Sequence, residues 1–313
     1  MCCFTTATEV HGTSIFARFT RPGTQGLVYQ MRYSAERPTA MILPLPVALP
    51  AREDSVRFKS LKAYPRFFDD LAAGFPAIQK TSLFPTKSAP AVAAAATLEV
   101  HDVGDFIASF VPSVKDFARV DARFVISKDV WDRIPAYADY GFAVFQLKEL
   151  AGTPHPIALE VDTRSPEALF FPTVHIHDGT VHDKDDFDHV LYAQGAVLDD
   201  RAASYDGPDA VDGKTGFVRS KEKASTFADA ARAQGLVDGN LLVHKTTLRG
   251  LLPNRDTTFD LRAIAARPAG AGACSRCDVG ARASLDGAWL PVTATLAGLG
   301  WIIRRRDERR RRP

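Results

Sequence analysis

Cysteine is scarce in this chain. Its 313 residues hold four, an adjacent pair, Cys2-Cys3, and a spaced pair, Cys274 and Cys277. Two local pairs cannot staple distant segments together, and a bridge between neighbours would be strained, so a disulfide framework is excluded as the basis of the fold. An opening apolar run is missing too. MCCFTTATEV has neither the basic flank nor the hydrophobic stretch of a secretory signal, and a cytoplasmic chain is the expectation. Charge of one sign is also lacking: the formal sum is +2, although Arg304 to Pro313 alone holds seven arginines against Asp307 and Glu308. The remainder is therefore slightly acidic, which disfavours binding to a phosphate backbone, and no nucleic-acid partner is expected. The apolar stretch Ala288 to Ile303 is too short to cross a bilayer comfortably: as a helix it would span about 24 Å against a ~30 Å hydrocarbon core, and Pro291 interrupts it. The arginine block that follows still makes membrane association through residues 288–312 an expected contact, with the C-terminus on the cytoplasmic side.

What is present points to β-structure. An apolar content of 46% suffices for a core. Thr13 to Thr20 and Leu27 to Tyr33 are β-branched and aromatic and flank the turn-rich RPGTQG, so they predict a hairpin. Ala40 to Pro46 (AMILPLP) is an apolar strand that its prolines confine to a sheet edge or carry out of the sheet. Further strands are expected over 97–103, 122–127, 141–148, 157–162, 169–177 and 241–248. Tyr64 to Phe75 predicts a short helix, Lys128 to Arg133 a helical turn, and Lys221 to Gln234 the longest helix, with Ser220 as N-cap and Gly235 as its stop. Leu83 to Ala95, rich in proline and alanine, is expected to be a surface connection. The fold class that follows is α+β and β-rich, with mostly antiparallel sheets and few helices. Residues 1–257 form the expected body, 258–284 a flexible linker, and 285–313 an apolar segment with an arginine-rich tail.

Four of the eight histidines lie in FPTVHIHDGTVHDKDDFDHVLY, Phe171 to Tyr192. Asp178-Gly179 is a strong signal for a two-residue hairpin turn. Pairing across it sets His175 opposite His182 and puts His175, His177 and His182 on one face, with Val174, Ile176 and Val181 on the other. Three imidazoles of this kind suit a transition metal such as zinc or copper, with His189 or Asp178 as a fourth ligand or an orienting acceptor. A metal-binding protein, or a metal-dependent enzyme acting on a small-molecule or peptide substrate, is the leading functional expectation; a solvated histidine face is the plain alternative. A shift of one residue in register would remove His182 from the site.

A rival chemistry starts at Cys2. Removal of Met1 would leave a thiol beside a free α-amine that can act as its base, the arrangement of N-terminal-nucleophile hydrolases and transferases. Those enzymes pack long helices on both outer faces of paired sheets, and only one long helix is expected here. His101, His155 and His244 are isolated and read as core or loop histidines, and Phe67, Phe68, Phe142 and Phe145 as core aromatics. Arg249, Asn254, Arg255 and Asp256 read either as a polar clamp or as a closing salt-bridge network.

The segments MCCF, IFAR, LVYQM, MILPLP, YPRFFDDLAAGFP, YADYGFAVFQLK, LFFPTVHIHDG, FDHVLYAQ and LRGLLPNRD together resemble a bacterial family of unknown function over residues 1–257. The opening half is more loosely similar to a broader family with exported members. The C-terminal cysteines, apolar stretch and arginine block resemble bacterial surface-sorting tags. That resemblance implies export and surface anchoring, the alternative to the cytoplasmic location, and under it Cys2 would lie inside a longer chain. None of these resemblances implies a reaction, which leaves a non-catalytic surface or interaction protein as a third functional expectation.

Overall fold

The computed structural model describes residues 3–76, 101–120, 125–126, 128–207, 210 and 215–266. The chain divides into two units, Met1–Ser275 and Arg276–Pro313. Every described residue lies in the first. Cys2, the stretch 83–95, Cys274, Cys277, the apolar segment and the arginine tail lie outside the described residues, as does most of the strand expected over 122–127.

Sixteen strands are described: β1 (Cys3–Phe4), β2 (Thr8–Arg21), β3 (Thr24–Ala35), β4 (Ala40–Leu45), β5 (Val56–Ser60), β6 (His101–Asp102), β7 (Phe106–Val111), β8 (Gly141–Leu147), β9 (Ala151–Gly152), β10 (Ile157–Asp162), β11 (Ala168–Phe171), β12 (Lys184–Gln194), β13 (Ala203–Ser204), β14 (Val218–Lys223), β15 (Leu242–Pro253) and β16 (Thr257–Asp260). The described α-helices are short: α1 (Phe67–Ala73), α2 (Lys128–Asp132), α3 (Ala196–Arg201) and α4 (Leu261–Ala266). A smaller sheet runs β1-β4-β8-β7-β6, and a larger one runs β13-β14-β15-β12-β2-β3-β10-β5 with β9 also on β3. Among the described strands, β12 with β2 and β13 with β14 pair in parallel and the other pairs are antiparallel. The body is thus β-rich α+β with mostly antiparallel sheets.

Strand alternation builds the layers. Ile15, Leu27, Tyr29 and Leu159 of the larger sheet share one buried cluster with Met41, Leu43 and Phe145 of the smaller. Their neighbours point outward: Phe16, Val28 and Ala158 pack under Phe67, Phe68 and Leu71 of α1. On the far side of the smaller sheet, Ile42, Phe142 and Val144 meet Phe117, Val130 and Trp131. Period-two alternation with both faces covered explains why these strands read as nearly continuous apolar runs. Each buried Val, Leu, Ile, Phe or Met among them stabilises the fold by roughly 1.5–3 kcal/mol.

The hairpin expected around RPGTQG is β2–β3, closed by the pair Arg21↔Thr24 across Pro22 and Gly23. Gly23 sits at φ +73°, a conformation that favours glycine. Pro44 of β4 lies in register with Phe142, whereas β1 reaches only Met41 and Ile42. At Pro44 the strand therefore has one neighbour, the edge position expected for proline.

The helix expected over Lys221 to Gln234 does not form. Its first residues belong to β14, which pairs antiparallel with β15 through Val218↔Lys245 and Arg219↔His244. Ser220, rather than capping a helix, accepts from the Val243 N–H at 3.1 Å and donates to Glu222 O at 2.7 Å. A short 3-10 turn over Ala224–Thr226 follows, and the segment buries Ala224, Ala228, Ala233 and Leu236 against the outer face of the large sheet. Helix propensities of Lys, Glu and Ala differ from those of other residues by only about 0.7 kcal/mol or less each, so pairing and burial override them. At the other end the fold continues past residue 257. β16 pairs with β11, and Ile264 of α4 is buried in the inter-sheet core. Among the described residues no helix is long and apolar enough to cross a membrane.

Candidate functional site

The segment after β11 carries the histidines, and it is not a hairpin. Asp178-Gly179 does turn: Gly179 adopts φ +78°, and Asp178 Oδ1 accepts from the Thr180 N–H at 2.8 Å. No strand ladder forms across it, because other partners take the backbone. Ile176 O accepts from Phe4 N–H at 2.8 Å, and His177 O from Thr8 N–H at 3.1 Å. Asn254 Oδ1 accepts from the His175 N–H at 2.7 Å, while its amide donates to His175 O at 2.8 Å and His182 O at 3.0 Å. Asp256 Oδ1 accepts from the N–H groups of Thr173 at 2.8 Å and Val174 at 3.0 Å, and its Oδ2 from the Tyr137 hydroxyl at 2.5 Å. Asn254 and Asp256 are thus a polar clamp rather than a salt-bridge network. Burial pushes the Asp256 carboxyl up to about 6, against the pull of the three donors.

Alternation survives without the ladder. Val174 and Ile176 sit in the apolar cluster outside the smaller sheet, with Val181 packed against it. His175 and His177 form the opposite face, their rings 5.1 Å apart and within 15° of parallel. The third imidazole comes from β12 instead of from His182. His189 lies 5.1 Å from His175 at 21°, and Phe187, two residues earlier on the same strand face, packs 4.2 Å from His175. Phe4 of β1 meets His177 edge-on at 6.0 Å. His182 is half exposed and pairs with Asp178 at 3.1 Å, outside the stack. The expected face of His175, His177 and His182 is therefore replaced by His175, His177 and His189, and Asp178 faces His182 at the surface.

His175 and His189 are buried and His177 is partly so. Burial depresses the His175 and His189 pKa values far below the ordinary imidazole range and takes His177 to about 4. All three rings are neutral at neutral pH, the form that offers a lone pair to a metal. His175 is 0% exposed, and neither of its ring nitrogens has a hydrogen-bond partner among the described residues; Nε2 of His177 is in the same condition. Asp185 Oδ1 lies 3.4 Å from His175 Nδ1 without a hydrogen bond between them. Two imidazoles on one tetrahedral zinc, with Zn–N of about 2.0–2.1 Å, have ring centres about 5 Å apart, close to the spacings of the stack. The ring orientations do not yet match: among the described residues no three His, Cys, Asp or Glu side chains are grouped so as to hold a metal ion. A bound ion would need the rings turned about their side-chain bonds.

His155 and His244 sit against backbone carbonyls. His155 Nε2 lies 2.7 Å from Val103 O, and His244 Nδ1 lies 3.2 Å from Ala193 O. Phe67, Phe68, Phe142 and Phe145 are buried as expected. Asp185 was absent from the expected site. Its signal was the spacing Asp185-x-Phe187-x-His189, which on any strand sets all three on one face.

No protein-family model matches the chain, and no curated protein matches it. Solved structures of baculovirus P35 do. The crystal structure of P35 aligns at 14% identity and a TM-score of 0.45, covering 83% of this chain and 99% of that one. A mutated P35 after caspase cleavage aligns at 14% identity and 0.42, covering 80% and 99%, and the caspase-8/P35 complex at 15% and 0.39, covering 79% and 95%. A likeness at this level carries no argument about what the chain does.

Proposed function

We propose that the chain binds a transition metal through His175, His177 and His189. The observation that carries this is His175: a fully buried, neutral imidazole whose ring nitrogens lack hydrogen-bond partners among the described residues, set between two further imidazoles at 5.1 Å. Leaving a buried polar atom unsatisfied costs about 1–3 kcal/mol, and a coordinated ion would offset that cost at His175 and His177 together. Zinc and copper both accept neutral imidazole. Two of the ligands are enclosed, with His175 and His189 both 0% exposed. A catalytic metal needs a position that substrate can reach, so the enclosure favours a bound ion that braces the fold over one that turns over substrate.

Elemental analysis of the purified full chain, loaded with zinc and dialysed, tests this. One equivalent is expected in the parent and in His182→Ala, with loss in His175→Ala and in His189→Ala. A parent chain that retains no metal sinks the proposal, and so does stoichiometric metal in both of the last two variants.

A further inference from the structure

We propose that Asp178-Gly179 is a self-modification site, at which the Gly179 nitrogen closes on the Asp178 carboxyl and His182 supplies the proton that lets water leave. The product is an isoaspartyl linkage. This inference is independent of the metal reading above.

The turn sets the reacting atoms side by side. Asp178 Oδ1 accepts from the Thr180 N–H at 2.8 Å, which folds the carboxyl back over the peptide joining Asp178 to Gly179. Glycine has no side chain to shield its nitrogen, and a Cβ built there would meet nothing within 4 Å. Among the described residues the Gly179 N–H has no hydrogen-bond partner. On the other carboxyl oxygen, Oδ2, sits Nε2 of His182 at 3.1 Å. An ionised carboxylate only accepts, so that nitrogen carries a proton. Both side chains are about half exposed, 54% for Asp178 and 52% for His182, so solvent reaches them.

The Gly179 nitrogen bonds to Cγ of Asp178 as the Cγ–Oδ2 bond breaks. Oδ2 leaves as water, taking one proton from the Gly179 nitrogen and one from the His182 imidazolium, which becomes neutral and regains its proton from solvent. Water then opens the cyclic imide. Attack at Cγ restores aspartate, whereas attack at the Asp178 main-chain carbonyl routes the backbone through Cβ and Cγ.

Two other described Asp-Gly pairs lack these conditions. Asp238 has the same turn, with Oδ1 accepting from the Asn240 N–H at 2.9 Å. Gln194, however, holds both its N–H and its carbonyl, each at 2.9 Å, and its carboxylate faces Arg18 at 3.5 Å. The Gly207 N–H donates to Ser204 O at 3.0 Å, and Asp206 pairs with Lys221. Arginine does not give up its proton in proteins and lysine holds its own well above neutrality, whereas imidazole exchanges a proton near neutral pH.

The test ages the purified full chain at physiological temperature, digests it, and measures isoaspartate at each Asp-Gly pair by electron-transfer mass spectrometry. Isoaspartate at Asp178 is expected to accumulate about tenfold faster than at Asp206 and Asp238, and the three rates should converge in denaturant. His182→Ala should slow Asp178 about tenfold and leave the other two unchanged, a modest share for a general acid in an exposed pair. His182→Arg keeps a cation beside the carboxylate without a proton to give, and it should be as slow as His182→Ala. An Asp178 rate in the folded parent no higher than at Asp206 and Asp238 overturns the site. The parent rate retained in His182→Ala or in His182→Arg overturns the role of His182 as proton donor.

Discussion

Two turns in this chain carry the same local chemistry and have opposite outcomes. Pro22-Gly23 and Asp178-Gly179 each place a glycine in the left-handed region, at φ +73° and φ +78°. The first closes β2–β3, a ladder that runs from Arg21↔Thr24 out to Thr8↔Ala35. The second closes no ladder. The difference lies in what else is available to the flanking backbone. Around Gly23 the strands find each other first in sequence and then in the middle of the large sheet. Around Gly179 the flanks are taken by Phe4, Thr8, Asn254 and Asp256, so the turn survives and the pairing does not. A turn motif specifies where the chain reverses; whether a hairpin follows depends on competition for the backbone groups on either side.

The largest test of that contrast removes the clamp. Asp256→Ala leaves the donors of Thr173, Val174 and Tyr137 without their acceptor, and a loss of about 3 kcal/mol or more is expected in chemical denaturation. Asp256→Asn keeps an acceptor for the two N–H groups and should be far milder. It also separates out a pH effect. Because burial raises the folded pKa of Asp256 to about 6 from the ordinary carboxylate value of 3.8, the folded state holds the proton more tightly between those values. Stability of the parent relative to Asp256→Asn should therefore fall as pH rises from about 4 to about 6 and then level off, by roughly 2–3 kcal/mol in total. A relative stability that rises over that window would contradict the assignment.

Asn254→Ala comes next. It strips the buried His175 N–H of its acceptor, at a cost of about 2 kcal/mol. Because the stack is held from the same side chain, amide exchange at His175 and Thr8 should accelerate while β2–β3 remains protected near Gly23. Smaller still are Gly23→Ala and Gly179→Ala. An added methyl would meet nothing within 4 Å at either position, so each change costs only the backbone strain, about 1 kcal/mol. Equal melting shifts would confirm that the two turns are locally alike and that the ladder distinguishes them. The smallest effect belongs to His182→Ala, which breaks an exposed pair with Asp178 and should change stability by about 0.5 kcal/mol or less. A large loss there would return His182 to the buried site.

Much of this was legible in the order of residues. Alternation located β8 and β10 nearly to the residue, the prolines placed the end of β4 at an edge, and the split of Val174 and Ile176 from His175 and His177 followed from period two alone. What escaped was long-range. Lys221 to Gln234 has a helical composition, and β15 took its first residues into a sheet. His182 is close to His175 in sequence, and β12 supplied His189 in its place.

By itself, then, the sequence determined which residues alternate, where the chain turns, and that neutral imidazoles would share a face with apolar side chains behind them. Those properties depend on dihedral preference and on a spacing of two, both local. Only the tertiary structure decided which imidazoles meet. Asn254 and Asp256, about eighty residues away, offered the 173–177 backbone hydrogen bonds that a hairpin partner would otherwise have made. That choice, made between competing donors and acceptors of similar strength, is settled by the packing of the whole body and not by any segment alone.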